Sequence, residues 1–329
     1  MAVLIRADDG LVQQIVDDSY PIWNEGLSAD GYARWNALQR RTAWGERQLW
    51  RVALVEPGRD GRYLASAKWY DLRCQINGES MRVLGIGAVF TPPHERGRGA
   101  AADLIQAMMA AAAADGYSAA LLFSEIGAAY YERLGFRVIS RDTLTLSVTH
   151  KPGAPAALLR AGEDADLPHL VELHRRGEAQ GFVLPRTIEL MKFAIAKRRF
   201  RAALAPLGSR VVEFFVSEEG HRAVSYVLIS RGPSGNLGDG PETMWLEACG
   251  DRDPSGARVG AMLQALYART PSEVMPPLRA WLPEGWVPPQ MSIAGRAPAD
   301  DIMMIQPLGA TKLPDLDGKN VAWWHADLF

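Results

Sequence analysis

Cysteine is scarce: 329 residues contain two, Cys74 and Cys249. They are too few and too far apart for a disulfide framework or a cysteine zinc site, so a reducing cytoplasm is expected. The six histidines are scattered. His169 and His174 miss the i, i+4 spacing that sets two ligands on one helix face, and no metal is expected. Charge of either sign is not in excess. A net charge of -2 provides no basic field for nucleic acid or an anionic membrane, and neither is expected as a partner. No apolar run approaches the length of a membrane span, and Met1 to Asp9 lacks the basic flank, hydrophobic core and cleavage site of a leader. The chain also has no Gly-Lys-Ser/Thr nucleotide loop and no three spaced glycines in a βαβ unit.

What is present is a globular composition, 48% hydrophobic and 22% charged, long enough for two domains. The first half opens with a strand at Val3 to Ile5 and a helix from Asp9 to Ser19, followed by a helix from Ala29 to Arg41. Three strands are expected at Leu49 to Val55, Tyr63 to Cys74 and Met81 to Phe90, the last two joined by the hairpin signal Asn77-Gly78. Pro92-Pro93 ends the sheet pattern. A helix from about Gly99 to Asp115 carries Leu104, Ile105, Met108 and Met109 on one face, with Gly116 as its stop. A strand at Ala119 to Phe123, a short helix at 126 to 134, and strands at Phe136 to Ile139 and Thr143 to Val148 complete this half.

The second half repeats the order. Ala157 to Arg160, Glu163 to Arg176, Arg186 to Arg199, Val211 to Ser217, Ala223 to Ser230, Met244 to Cys249 and Pro254 to Thr270 read as strand, helix, helix, three strands and helix. The expected fold is mixed α/β with one domain at 1–150, a linker at 151–156 and a second, degenerate copy at 157–329. Gly232 to Pro241 reads as a mobile hairpin loop without chemistry.

The chemistry concentrates at Arg96-Gly97-Arg98-Gly99-Ala100-Ala101. This segment joins an apolar strand to a helix start, where free N–H groups converge at the positive end of the helix dipole. Gly97 and Gly99 permit close backbone approach, and Arg96 and Arg98 add positive charge, so a pyrophosphate is implied. A glycine-rich turn taken alone is more often only a turn. Here the sequence resembles the GNAT superfamily of N-acetyltransferases, whose coenzyme motif Gln/Arg-x-x-Gly-x-Gly/Ala is matched by Arg96, Gly99 and Ala101. The family's later block, a tyrosine before a Leu-Gly-Phe turn, is matched by Tyr131-Glu132-Arg133-Leu134-Gly135-Phe136. Val89 to Pro93, with Ser124-Glu125-Ile126-Gly127 ahead of Tyr130-Tyr131, is similar to fungal lysine N6-acetyltransferases. The duplication resembles tandem aminoglycoside acetyltransferases, although the chain is too short for their third domain.

The resemblance implies acetyl-CoA as co-substrate, acetyl transfer to a primary amine by direct attack, and pantetheine contacts from the backbones of Val89 and Thr91. It implies that Tyr131 protonates the leaving thiolate, since a phenol's pKa of about 10 lies above a thiol's at about 8.5. Tyr130 reads as packing. The fourth strand, Met81 to Phe90, carries no Glu or Asp, so the base lies elsewhere. Glu125 is a candidate, or else only a helix cap. The α-carboxylate of Phe329 is another, or else part of an apolar tail, Trp323 to Phe329, that docks without catalytic contact. Tyr20, Trp23, Glu25 and Trp35 are the acceptor-pocket candidates, with core packing as the competing role. Asp253-Pro254-Ser255-Gly256 stands where the second copy would need a coenzyme turn, and an aspartate there opposes an anion. A coenzyme-A-binding sensor without turnover is the alternative function.

Overall fold

The computed structural model describes residues 2–58, 62–149, 158–177, 181–269, 275–316, 318 and 321–329. The linker expected at 151–156 lies outside them. In chain order the elements are β1 (Val3–Arg6), α1 (Asp9–Trp23), α2 (Ala29–Arg41), α3 (Ala43–Gln48), β2 (Leu49–Val55), β3 (Tyr63–Ile76), β4 (Glu79–Phe90), α4 (Ala100–Ala114), β5 (Ala119–Ser124), α5 (Ala129–Glu132), β6 (Arg137–Val138) and β7 (Asp142–Val148). Then come β8 (Leu159–Ala161), α6 (Leu167–Gly177), β9 (Phe182–Val183), α7 (Ile188–Leu204), β10 (Val211–Glu219), β11 (Arg222–Pro233), β12 (Glu242–Asp251), α8 (Ala257–Ala268), β13 (Leu278–Ala280), β14 (Met291–Pro298), β15 (Ile302–Pro307) and β16 (Val321–Ala322).

Local signals explain the boundaries. Asp8 and Ser28 cap α1 and α2 by accepting from the amides of Leu11 and Gly31, which satisfies donors that a helix start leaves free. Thr42 caps α3 in the same way. At the β3–β4 turn Asn77 and Gly78 both have positive φ, 52° and 85°, as a two-residue hairpin loop requires.

Two mixed sheets result. The first runs β1-β2-β3-β4-β5-β15-β6 and the second β14-β7-β13-β12-β11-β10-β8. Along each of these orders one pair is parallel, β4 with β5 and β12 with β13, joined by α4 and α8 as crossover helices, while β9 joins the first sheet through β3 and pairs in parallel with β16. The two sheets therefore share a topology, with one exchange. β7, from the first half, pairs with β13, whereas β15, from the second half, pairs with β5. Each half lends the other the strand beside its crossover strand. The first core packs α4 against β3 and β4 through Leu104, Ile105, Met108, Trp69, Leu84 and Ile86. A second cluster on the opposite face joins Tyr70, Leu72 and Cys74 to Phe182, Phe193 and Trp323, drawn from later in the chain.

Candidate active site

Two features open the first sheet. β4 and β5 pair only from Val83 to Ile86, and beyond that point β4 bonds to β3 alone. Ser66 pairs with Phe90 and Lys68 with Gly87, so Ala88 and Val89 together face Ala67. Ala88 has φ of 46°. A bulge of this kind bends and twists the strand, leaving its free edge unpaired. Val89 is half-buried against the core that contains Tyr131.

Gly97 and Gly99 adopt φ of 77° and 82°, Gly99 caps α4, and a Cβ on either would meet nothing within 4 Å. The space beside both glycines is thus open where α4 begins, at the positive helix end. Arg98 bonds the buried Glu95 at 2.9 Å, and the Arg96 guanidinium donates to the Thr91 carbonyl at 3.2 Å. One arginine is thereby partly neutralised, and the other spans the turn. These residues fit a pyrophosphate and an extended arm lying along the bulged edge.

The corresponding place in the second sheet is filled. β12 has its own bulge, at Glu247, because Leu228 pairs with Ala248 and Ile229 with Leu246. Glu247 is fully buried. It accepts from Ser230 at 2.6 Å, pairs with Arg198 at 3.0 Å and contacts His325 at 2.8 Å. Burial opposes its charge, but Arg198 and His325 hold its pKa well below the ordinary carboxylate range. At the start of α8 the Asp251 carboxylate already accepts from the amides of Arg258 and Val259. A Cβ on Gly256 would lie 2.6 Å from the Trp286 ring. Carboxylate and indole occupy the space that a phosphate needs.

Tyr131 is 8% exposed on α5, edge-on to Tyr130 and Phe136. Burial, then Tyr130 and Glu125, push its phenol up to about 12, so it stays protonated. The turn beneath is held by Gly135, whose φ is 94° and whose missing side chain makes room for Gln306 of β15. Glu125 does not cap α5, whose N-cap is Ala128. It is exposed and accepts from Asn236 at 2.7 Å. Asn236 also accepts from the Glu25 amide at 2.7 Å through its carbonyl. The Gly232–Pro241 loop is therefore tied to Glu25 and Glu125 through Asn236. Asp301, which precedes β15, carries no signal in the sequence. Ile302 pairs with Ser124, which sets Asp301 at the same sheet end as Glu125. Burial, with Glu125, Asp300 and Glu25, raises its carboxyl to about 7.

The apolar tail docks between the halves. Arg141 donates to the Trp323 carbonyl at 2.9 Å, Arg198 to that of His325 at 2.7 Å and Lys197 to that of Leu328 at 2.8 Å, while buried Arg186 pairs with buried Asp327. The Phe329 ring lies 4.7 Å from Tyr70 and 5.2 Å from Phe123. A Cβ on Gly87 would lie 3.1 Å from the Phe329 carbonyl oxygen, which puts the end of the tail one residue before the β4 bulge. Of the acceptor candidates, Trp35 donates to the Lys197 carbonyl at 3.1 Å, and Glu25 pairs with Arg201 at 2.9 Å. Both face α7. Tyr20 bonds the Leu27 carbonyl within the helical layer, and Trp23 packs edge-on against Phe90 of β4. Among the described residues no group of acidic, cysteine or histidine side chains could hold a metal, and no helix is long and apolar enough to cross a membrane.

Residues 16–139 match the family model of the acetyltransferase (GNAT) domain. Solved structures of the same fold include a GCN5-related N-acetyltransferase from Anabaena variabilis, with 13% identity and a TM-score of 0.63 over 93% of this chain and 72% of that one. A GCN5-related N-acetyltransferase from Kribbella flavida gives 15% and 0.59 over 93% and 70%. Eis1 from Mycobacterium abscessus gives 13% and 0.53 over 93% and 73%. No curated protein sequence shows significant similarity. The chain has the GNAT fold, built from two mixed α/β sheets.

Proposed function

We propose that this protein is an N-acetyltransferase that moves an acetyl group from acetyl-CoA to a primary amine of a small molecule by direct attack. The observation that carries this reading is the contrast between the two sheets: an open helix start beside a bulged, unpaired strand edge and a buried tyrosine in the first, and a filled one in the second. In this reading the first domain, residues 1–150, binds the co-substrate and residues 157–329 wall the acceptor pocket.

Acetyl-CoA supplies the activated acyl group as a thioester. The amides of Gly97 to Ala101, with Arg96 and Arg98, hold its pyrophosphate, and the backbones of Val89 and Thr91 align its arm. Tyr131 gives its hydroxyl proton to the departing sulfur, since a phenol held near 12 is not ionised beforehand. Glu125 draws the acceptor's ammonium to the mouth of the site. The carboxylate of Phe329, the last residue of the sequence, lies beside Gly87 and receives the proton that the amine loses, directly or through water. An enclosed setting raises the basicity of a carboxylate.

Incubation with acetyl-CoA and a pool of free amino acids, polyamines, aminoglycosides and short peptides, with thiol release followed, tests the reading. Thiol release dependent on an amine supports it. The absence of Asp or Glu on β4 after Glu79 favours the second reading, a coenzyme-A-binding sensor. Tight coenzyme binding with no acceptor-dependent release would select that one.

A further inference from the structure

Arg51 of β2, Lys68 of β3 and Gly87 of β4 stand in one row across the first sheet, Arg51 paired with Lys68 and Lys68 with Gly87. Directly opposite residues share a face, so two cations lie side by side, an arrangement that sheets disfavour. Strand alternation sets Ser66 and Tyr70 on the same face of β3. The Ser66 hydroxyl and the Tyr70 hydroxyl are both buried without a hydrogen-bond partner. A third cation arrives from α7. The main chain of Lys197 holds the Trp35 indole, and the Lys68 ammonium lies 5.6 Å from that ring.

Neutral groups are what these cations touch. Lys68 reaches Gln39 at 3.4 Å, Arg51 the Ala88 carbonyl at 3.4 Å and Lys197 the Leu328 carbonyl at 2.8 Å. The neighbouring carboxylates are engaged elsewhere, Glu25 with Arg201 and Arg210, and Glu247 with Arg198 and His325. Burial and then Arg51 push the Lys68 ammonium down to about 7, while burial, Arg198 and Lys68 lower that of Lys197. Burial and mutual repulsion thus weaken the charge on both lysines, and an anion lying among the three basic groups restores it. Uncompensated buried charge is costly, and a bound anion offsets the cost.

We propose that Arg51, Lys68 and Lys197 form an anion site in the acceptor pocket, which takes the carboxylate or phosphate of a small amine whose amino group is directed to the β4 bulge. This rests on the acetyl-transfer reading and names the acceptor class. Arg51 is 4% exposed and supplies field. Lys68 and Lys197 are half-buried and meet the ligand. The Ser66 and Tyr70 hydroxyls offer further donors at the floor of the site. Gly87, without a side chain, leaves room beside the row for the Tyr70 ring and the Phe329 backbone, each 3.1 Å from where a Cβ would stand.

Two matched pairs of acceptors test the proposal: lysine against cadaverine for the carboxylate, and O-phosphoethanolamine against ethanolamine for the phosphate. With wild-type protein the anionic member of at least one pair should have the higher kcat/KM, by about tenfold or more, and which pair responds identifies the anion. Lys68→Met and Lys197→Met should each pull that ratio towards one. Equal rates within both wild-type pairs, an outcome that needs no variant to fold, would overturn the site. So would a preference that survives the double substitution. Calorimetry of the same pairs against the protein saturated with coenzyme A separates the two readings. Selective binding of the anionic amine without any thiol release sinks acetyl transfer and keeps the anion site, whereas thiol release without selectivity does the reverse.

Discussion

Gly26 and Gly238 meet backbone to backbone: a Cβ on Gly238 would stand 2.7 Å from the Gly26 Cα, and both residues have positive φ, 77° and 63°. The contact joins the α1–α2 loop to the β11–β12 loop, next to the Glu25–Asn236 and Asn236–Glu125 hydrogen bonds. Gly238→Val should force these loops apart, because no side chain fits and the φ is strained for an L residue. The expected result is a KM for the acceptor raised by about tenfold while coenzyme affinity is kept. Steady-state kinetics with either substrate varied reads this out, and equal losses in both would mean global damage instead.

Coenzyme binding should be confined to the first sheet. Calorimetry is expected to give one site per chain. Gly99→Glu, which places an anion at the α4 start and a side chain at φ of 82°, should weaken binding by about 100-fold or more. Two equivalent sites would contradict the filled α8 start.

For Tyr131→Phe, kcat should fall by roughly 10²-fold or more with little change in coenzyme affinity, as for loss of a general acid. The ring contacts with Tyr130 and Phe136 remain, so the thermal midpoint should hardly move. Wild-type turnover in this variant would exclude the role.

Appending one glycine after Phe329 keeps the ring against Tyr70 and Phe123 and displaces only the charge. If the carboxylate accepts the amine's proton, kcat drops while acetyl-CoA affinity survives. Normal turnover would pass the task to Glu125 or a water chain. Arg186→Met, by contrast, strands Asp327 in a buried site, and breaking such a pair costs about 3–5 kcal/mol. A markedly lower thermal midpoint is expected.

Asp301 sets a pH dependence of stability. Its folded pKa is raised from 3.8 to about 7, so the native state keeps a proton that the unfolded chain releases. The stability this provides is complete below about pH 4 and is lost as the pH rises through 7. Asp301→Asn should match the wild type near pH 3.5 and become the more stable protein at pH 8. Thermal melts across that range decide it, and a difference that does not vary with pH would refute the assignment.

Local information carried far in this chain. The spans of α2 and β2, the Asn77-Gly78 hairpin, and the glycine turn before α4 depend on caps, positive φ and apolar period, all properties of neighbouring residues. The helix α3 was not visible because six residues from Ala43 to Gln48 are too few to show a period, and Thr42 alone marks its start. The turn at Leu134-Gly135 that follows Tyr131 was legible because its block is contiguous.

Other features belong to no local segment. The exchange of β7 and β15 between sheets turns on which edge each strand meets after the halves have packed, and equivalent strands carry equivalent patterns, so the sequence cannot choose between them. Asp301 joins Glu125 only through that exchange. Lys68 and Arg51 each read as ordinary strand cations until register sets them side by side and α7 brings Lys197 over them. By itself the sequence determined the order of most elements, the glycine turn before α4 and the Leu134-Gly135 turn after Tyr131, which local sterics and spacing dictate. The tertiary structure alone decided which of two similar bulges stays open, because burial, charge compensation and the seat of the Trp323–Phe329 tail depend on residues far apart in the chain.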